Sequence, residues 1–207
     1  MSGAPIAARK QASLGPPHSL LPLTSIFVEP AKILFLNNAI NHGVLAPIGV
    51  VQAEEMGKSI MFMLETNPGP GLGILVAFWL AGNTALRGSA PGAIIIHFLG
   101  GIHEIYFPYV LLKPQVVLGV IAGGMVGVAT FMVTGVGLVS TPSPGSIFAY
   151  MAVTPAGNHL GVLLGIVLSA ATSFVVTWFI LRLSKGDASE ADLQEAKDRS
   201  KEMKAGK

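Results

Sequence analysis
Apolar residues dominate positions 59–181, where Glu65, Arg87, Glu104 and Lys113 are the only side chains with formal charge. Within that run the pattern takes two forms. Residues 116–139 and 160–181 hold no charge, and each is long enough to predict an ordinary spanning helix, since a hydrocarbon core takes about 20 apolar residues to cross. The first carries Gly119, Gly123 and Gly127 at four-residue spacing, a stripe that predicts close helix packing. The other apolar segments are broken, and the breaks are polar. Residues 33–47 contain Asn37, Asn38, Asn41 and His42. Residues 59–80 are interrupted by Glu65-Thr66-Asn67-Pro68-Gly69-Pro70-Gly71, which cannot continue a regular helix. Residues 91–112 contain Gly100-Gly101, His103-Glu104 and Pro108, and a further stretch at 140–145, with Pro142 and Pro144, predicts a loop or re-entrant tip.

In hydrocarbon, freed backbone groups and ionisable side chains are tolerated only where protein or a water-filled cavity satisfies them. Short, Gly/Pro-interrupted segments therefore point to a transporter's binding site near the midplane. The pattern predicts an all-α integral membrane protein, built from spanning helices plus Gly/Pro-broken re-entrant segments and embedded in a lipid bilayer. Its expected organisation is an unstructured leader over residues 1–27, a membrane-embedded region over 28–183 and a charged tail over 184–207.

Composition sharpens this. With 51% apolar and 12% charged residues and a mean hydropathy of +0.63, the chain is not disordered and lacks the polar surface of a water-soluble domain. Seven of the 13 Lys and Arg and six of the 11 Asp and Glu lie from Arg182 onward. The basic residues there place the tail in the cytoplasm by the positive-inside rule, where it is expected as a solvated helix or frayed linker. The net charge of +2 is scattered, so no nucleic-acid footprint is present. The absence of cysteine excludes disulfides, thiolate metal sites and any phosphocysteine within the chain.

Glu104 is the leading candidate for chemistry. An acid within an apolar stretch costs about 2.5–3.5 kcal/mol on insertion scales, so it has either a partner, with Arg87 and Lys113 as candidates, or a function. Its carboxylate could accept hydrogen bonds from adjacent hydroxyls of a polyol, or serve as a base for a hydroxyl being phosphorylated. His103 adjoins it. His97 shares its helical face only if the Gly100-Gly101 break does not rotate the chain, and otherwise reads as a packed histidine. Asn37 with Asn41, and Asn38 with His42, fall on common faces, which suits either interhelical hydrogen bonding or a polar cavity. Asn67, at the Pro/Gly break, is a further candidate ligand. A peptidase-type zinc site fails because Phe107 stands where the second histidine is required, and no metal or cofactor is expected. An ion-coupled carrier or channel, with Glu104 and a histidine relaying protons, is an alternative.

Residues 37–43 (NNAINHG), 65–71 (ETNPGPG) and 97–110 (HFLGGIHEIYFPYV) together resemble the membrane component, IIC, of the mannitol enzyme II of the bacterial phosphoenolpyruvate-dependent phosphotransferase system. The resemblance runs over residues 28–183, and its most specific element is Gly-Ile-His-Glu at 101–104. It implies a multi-pass inner-membrane permease with a cytoplasmic C-terminus, which carries mannitol or a related hexitol while a IIB domain bearing a phosphocysteine, itself served by IIA, phosphorylates the sugar alcohol in trans. The chain would thus act as part of a phosphotransferase. Glu104 and His103 match the family's substrate-site pair, and Asn38, Asn41 and His42 match its polar segment near the transport site. The family's membrane unit is a dimer in which a substrate-binding half moves against a fixed half. The stretch present resembles only the C-terminal, substrate-binding half, so a separate N-terminal half is an expected partner, a homodimer is expected of the complete unit, and a non-functional truncated permease is the remaining alternative.

Overall fold
The structure, a computed structural model, describes residues 16–82, 84–183 and 190–206. Among these the fold is helical throughout, with one isolated bridge between Ser59 and Leu138. A 3-10 segment, Pro16–Thr24, leads into α1 (Ser25–Ile33). Residues 16–27 are thus helical where an unstructured leader was expected, and they pack on the body: Leu21 lies against the cluster of Leu45, Met61, Leu64 and Val128, and a Cβ on Gly124 would lie 3.0 Å from Ser25 Oγ. Residues 1–15 lie outside the described residues.

α1 ends on Phe35, which takes φ +58°. The Leu36 amide reaches back to the Ala31 carbonyl and the Phe35 amide to that of Lys32, the pairing that satisfies helix-terminal carbonyls. Phe35 occupies a position that favours glycine. Its ring is held by an edge-to-face contact with Phe107, 5.1 Å between centroids.

The chain then re-enters helix at Asn37–Ile40, passes through a π-helical turn, Asn41–Leu45, and continues as α2 (Ala46–Met56). After the single turn Met61–Leu64 comes the predicted break, and Gly69-Pro70-Gly71 forms the first turn of α3 (Gly69–Ala81), where a missing amide hydrogen costs nothing. α4 (Thr84–Ile94) runs into a second π-helical turn, Ile95–Leu99, and a 3-10 turn, His103–Tyr106, precedes α5 (Phe107–Leu112). α6 (Val117–Val133), α7 (Ile147–Ala152), α8 (His159–Leu183) and α9 (Glu190–Ala205) complete the order.

Two helical stretches, Pro114–Val133 and His159–Leu183, are long and apolar enough to cross a membrane. The first was expected to reach residue 139. It stops at Val133 because Gly135, at φ +63°, turns the chain, and Leu138 then exchanges backbone hydrogen bonds of 2.8 and 3.0 Å with Ser59.

The centre of the fold is the contact of α3, α6 and α8, made by small residues. A Cβ on Gly123 would come 2.7 Å from both the Ser169 carbonyl oxygen and Ser173 Cβ, and one on Gly69 would be 2.7 Å from the Ile166 carbonyl oxygen. The hydroxyls at this seam are used between helices: Ser169 donates to the Gly123 carbonyl at 2.7 Å, and Ser173 to that of Pro70 at 2.8 Å. Such bonds hold helices together where apolar burial gives no net drive. On one flank, Phe78, Tyr109, Phe107 and Phe35 belong to an apolar cluster that also takes in Leu193 of α9. Leu193, Ala196 and Ser200 are buried, and Met203 packs against the same cluster. The tail helix therefore carries one apolar stripe that docks on the body rather than standing free in solvent.

Candidate functional site
The polar breaks converge. A cavity of about 410 Å³ is walled by the turn holding Asn37, Asn38, Asn41 and His42, by Glu65 and Thr66, by residues 101–104, by the loop 141–145 and by Lys204 of α9. Each wall owes its presence to a departure from regular helix. Asn41 and His42 lie in the π-helical turn Asn41–Leu45, an irregularity frequent at functional sites. Glu65 and Thr66 stand in the gap ahead of α3. Gly101 adopts φ +78°, and a side chain there would meet the backbone of Gly145 and Ser146. This turn brings His103 and Glu104 to the cavity. It also breaks the helix between them and His97, which is fully buried and donates from Nε2 to the Pro68 carbonyl at 2.9 Å. The His97 and His103 rings still stack obliquely, with centroids 4.7 Å apart.

The polar atoms are held by three separate sets of bonds. Asn41 donates from Nδ2 to Glu65 Oε2 at 3.0 Å, while Asn41 Oδ1 is buried and has no partner among the described residues. Behind Glu65, Lys32 of α1 donates to the Glu65 carbonyl at 3.2 Å and pairs with Glu29 at 2.7 Å, both side chains being 1% exposed. His103 donates from Nε2 to the Gly145 carbonyl at 3.0 Å, tying the 141–145 loop to the wall. Glu104 forms an ion pair with Lys204. Arg87, one of the two partners suggested by sequence, instead donates to the Trp79 carbonyl at 3.2 Å.

Of the residues singled out from the sequence, Asn38, Asn41, His42, His103 and Glu104 line this cavity. Asn67 does not. Its Nδ2 donates to Ser169 Oγ at 3.1 Å and its Oδ1 accepts from the Gly69 amide at 2.9 Å, so it caps α3 within the α3–α6–α8 contact. Four residues escaped the sequence reading. Glu65 looked like part of a helix breaker, Glu29 and Lys32 stood at the edge of the apolar run, and Lys204 counted as one more tail charge. For Lys32 and Glu29 the available signal was their i, i+3 spacing, which puts opposite charges on one helical face.

Among the described residues no group of three or more His, Asp or Glu is arranged to hold a metal ion. What the cavity offers instead is a ring of neutral and charged hydrogen-bonding groups: amide oxygens and nitrogens, imidazoles, two carboxylates and the Lys204 ammonium, which pairs with one of those carboxylates. Such a set suits a polar, uncharged ligand rich in hydroxyls, because each hydroxyl can donate to a carboxylate or amide oxygen and accept from an amide or ring N–H.

No family model matches the chain, and no solved structure matches it. Curated relatives do. The chain is 58% identical over 188 residues to the PTS system mannitol-specific EIICB component of Geobacillus stearothermophilus, covering 91% of this chain and 40% of that protein. It is 57% identical over 189 residues to the EIICB component of Bacillus subtilis (strain 168), covering 91% and 39%, and 55% identical over 188 residues to the mannitol-specific EIICBA component of Escherichia coli (strain K12), covering 91% and 29%. The chain thus spans about two-fifths or less of the length of these relatives. Identity this high over nine-tenths of the chain places it in the mannitol-specific phosphotransferase-system family, as a IIC region.

Proposed function
We propose that the chain is the sugar-alcohol-binding half of a mannitol permease. It binds mannitol in the 410 Å³ cavity and carries it across the inner membrane while a IIB domain, charged in turn by IIA, phosphorylates it. In this reading Glu104 and Glu65 accept hydrogen bonds from the substrate's hydroxyls, and Glu104 is placed to take the proton from the hydroxyl that becomes phosphorylated. Asn38, Asn41, His42 and His103 complete the hydrogen-bonding ring, and Asn67 supports the wall from behind. The observation that carries this reading is Asn41, whose amide is spent on Glu65 while its buried Oδ1 is unpartnered among the described residues. A buried acceptor without a partner is costly, and a hydroxyl of the substrate supplies the donor. The cavity's size falls in the range of small-molecule sites, roughly 300–1,000 Å³.

The Lys and Arg that follow Leu181 support a cytoplasmic tail on a multi-pass chain, which directs the C-terminal side towards the phosphoryl donor. An N-terminal half of the permease completes the unit, and the complete unit is a homodimer. The test is mannitol binding in membranes that co-express the N-terminal half: Glu104→Ala abolishes it and Glu104→Gln weakens it at least tenfold, whereas unchanged affinity in both removes Glu104 from the site. The stacked His97 and His103 rings favour a second reading, an ion-coupled carrier with a proton path through Glu104. Flux separates the two, since group translocation yields phosphorylated sugar alcohol and requires the donor proteins, whereas a coupled carrier yields unmodified solute and stops when the ion gradient collapses.

A further inference from the structure
Glu104 faces two spaces. One is the 410 Å³ cavity. The other, about 450 Å³, lies beneath α9 and is lined by Glu104 together with Tyr109, Lys197, Lys201 and Lys204. The Glu104–Lys204 ion pair stands between them. It is the described hydrogen bond or ion pair that joins a cavity side chain to α9, and it spans 100 residues of sequence. From the geometry we infer that Lys204 is a latch residue: α9 docks on the body with Lys204 on the Glu104 carboxylate, and a polyol that takes that carboxylate releases the helix.

Three features support this. Lys204 occupies the acceptor that the substrate needs, so ligand and latch compete for the same oxygens. The pair is weak enough to be exchanged, because the Lys204 side chain is 61% exposed and that of Glu104 25%, and an ion pair so open to solvent contributes little. The apolar docking of α9 is also slight, resting on Leu193, Ala196 and Met203, so loss of one polar contact shifts its equilibrium measurably. Filling of the cavity is then reported to the tail, the side on which the phosphoryl donor acts. The coupling rests on the proposed polyol site, whereas the docking contact itself does not.

The natural absence of cysteine gives a clean test. In Ser200→Cys the only thiol of the chain lies on the docked face of α9, at a position that is 8% exposed, and its alkylation in membrane vesicles that also hold the N-terminal half is followed by the mass of this chain. Mannitol is expected to raise the labelling rate by up to about fivefold, the shift that a solvent-exposed ion pair supports. Adding Lys204→Gln gives the fast rate with or without mannitol and tightens mannitol binding by a similar factor, while Lys204→Arg keeps the slow rate. A purely structural Lys204 would weaken binding or leave it unchanged. If mannitol binds yet labelling does not respond, the coupling is overturned. If mannitol does not bind at all, the polyol reading fails, and the latch is still decided by Lys204→Gln: a labelling rate equal to that of Ser200→Cys alone overturns it.

Discussion
The α3–α6–α8 contact and the cavity wall both bury polar atoms among apolar ones, yet they use them differently. At the helical contact Ser169, Ser173 and Asn67 find partners on a neighbouring helix at 2.7–3.1 Å, and glycines at 69 and 123 bring the backbones close enough for this. At the wall the partners come from breaks in helices: a π-helical turn, a Pro/Gly gap and a left-handed glycine. There the network stops short of closure, with Asn41 Oδ1 unpartnered among the described residues and Glu104 paired with an exposed lysine. Regular helices at close range spend most of their polar groups in packing, with Thr177 Oγ1 an exception that has no partner among the described residues, whereas irregular ones leave them facing a space that a ligand can enter.

The sharpest way to break this comparison is to remove the cation that supports the wall. Lys32 is the partner of buried Glu29 and also bonds the Glu65 carbonyl. Lys32→Met leaves a buried carboxylate without its counter-charge, which costs about 3–5 kcal/mol. Thermal unfolding in detergent should show that loss, and Glu29→Gln combined with Lys32→Met should recover most of it, because the remaining group is then neutral. If Lys32→Met proves as stable as the parent, the pair is not part of what holds the wall.

A second comparison sets one amide against another. Asn67 belongs to the packed contact and Asn38 to the cavity. Asn67→Ala removes a bond to Ser169 and a cap on the first turn of α3, and should lower stability by about 1–2 kcal/mol without changing the mannitol affinity of the folded protein. Asn38→Ala should do the reverse, weakening mannitol binding about fivefold, the equivalent of about 1 kcal/mol, with the melting temperature preserved. An equal effect of both substitutions on affinity would dissolve the distinction between packing and binding amides.

How far these regions can be read from sequence follows from their physics. The helical contact was legible because Gly119, Gly123 and Gly127 repeat at the spacing of a helix face, although the end of α6 was not: Val136 and Leu138 are apolar, and only the turn at Gly135 and the pairing with Ser59 take them out of the helix. The breaks announced themselves through proline and glycine, and the amides at 38 and 41 with His42, His103 and Glu104 could be singled out as polar groups in apolar surroundings. What could not be read was which broken segments meet. Glu65 joins Asn41 across 24 residues, Lys204 joins Glu104 across 100, and Asn67 turns away to Ser169 across 102. Local pattern carries no information on such pairings, so Glu65 and Lys204 were passed over and Asn67 was grouped with the ligands.

The smallest expected effect tests whether α9 holds two independent kinds of ion pair. Lys201 bonds Asp198 at 3.1 Å within the helix, while Lys204 bonds Glu104 across to the body. The Asp198 carboxyl is held below its ordinary value first by the hydrogen bond from Lys201 and then by that from Gln194. A depressed carboxyl contributes helix stability that is present above its unfolded value of about 3.9 and is lost as pH falls through the lower folded value. Because the group is exposed, the contribution is slight. Hydrogen exchange of residues 190–206 in the full chain should therefore show a small loss of protection as pH is lowered from about 6 to about 3, and Asp198→Asn should flatten that step. At neutral pH the same substitution should leave labelling of Ser200→Cys at its slow rate, unlike Lys204→Gln. If Asp198→Asn releases the helix as fully as Lys204→Gln does, docking depends on the integrity of α9 itself and not on the contact with Glu104.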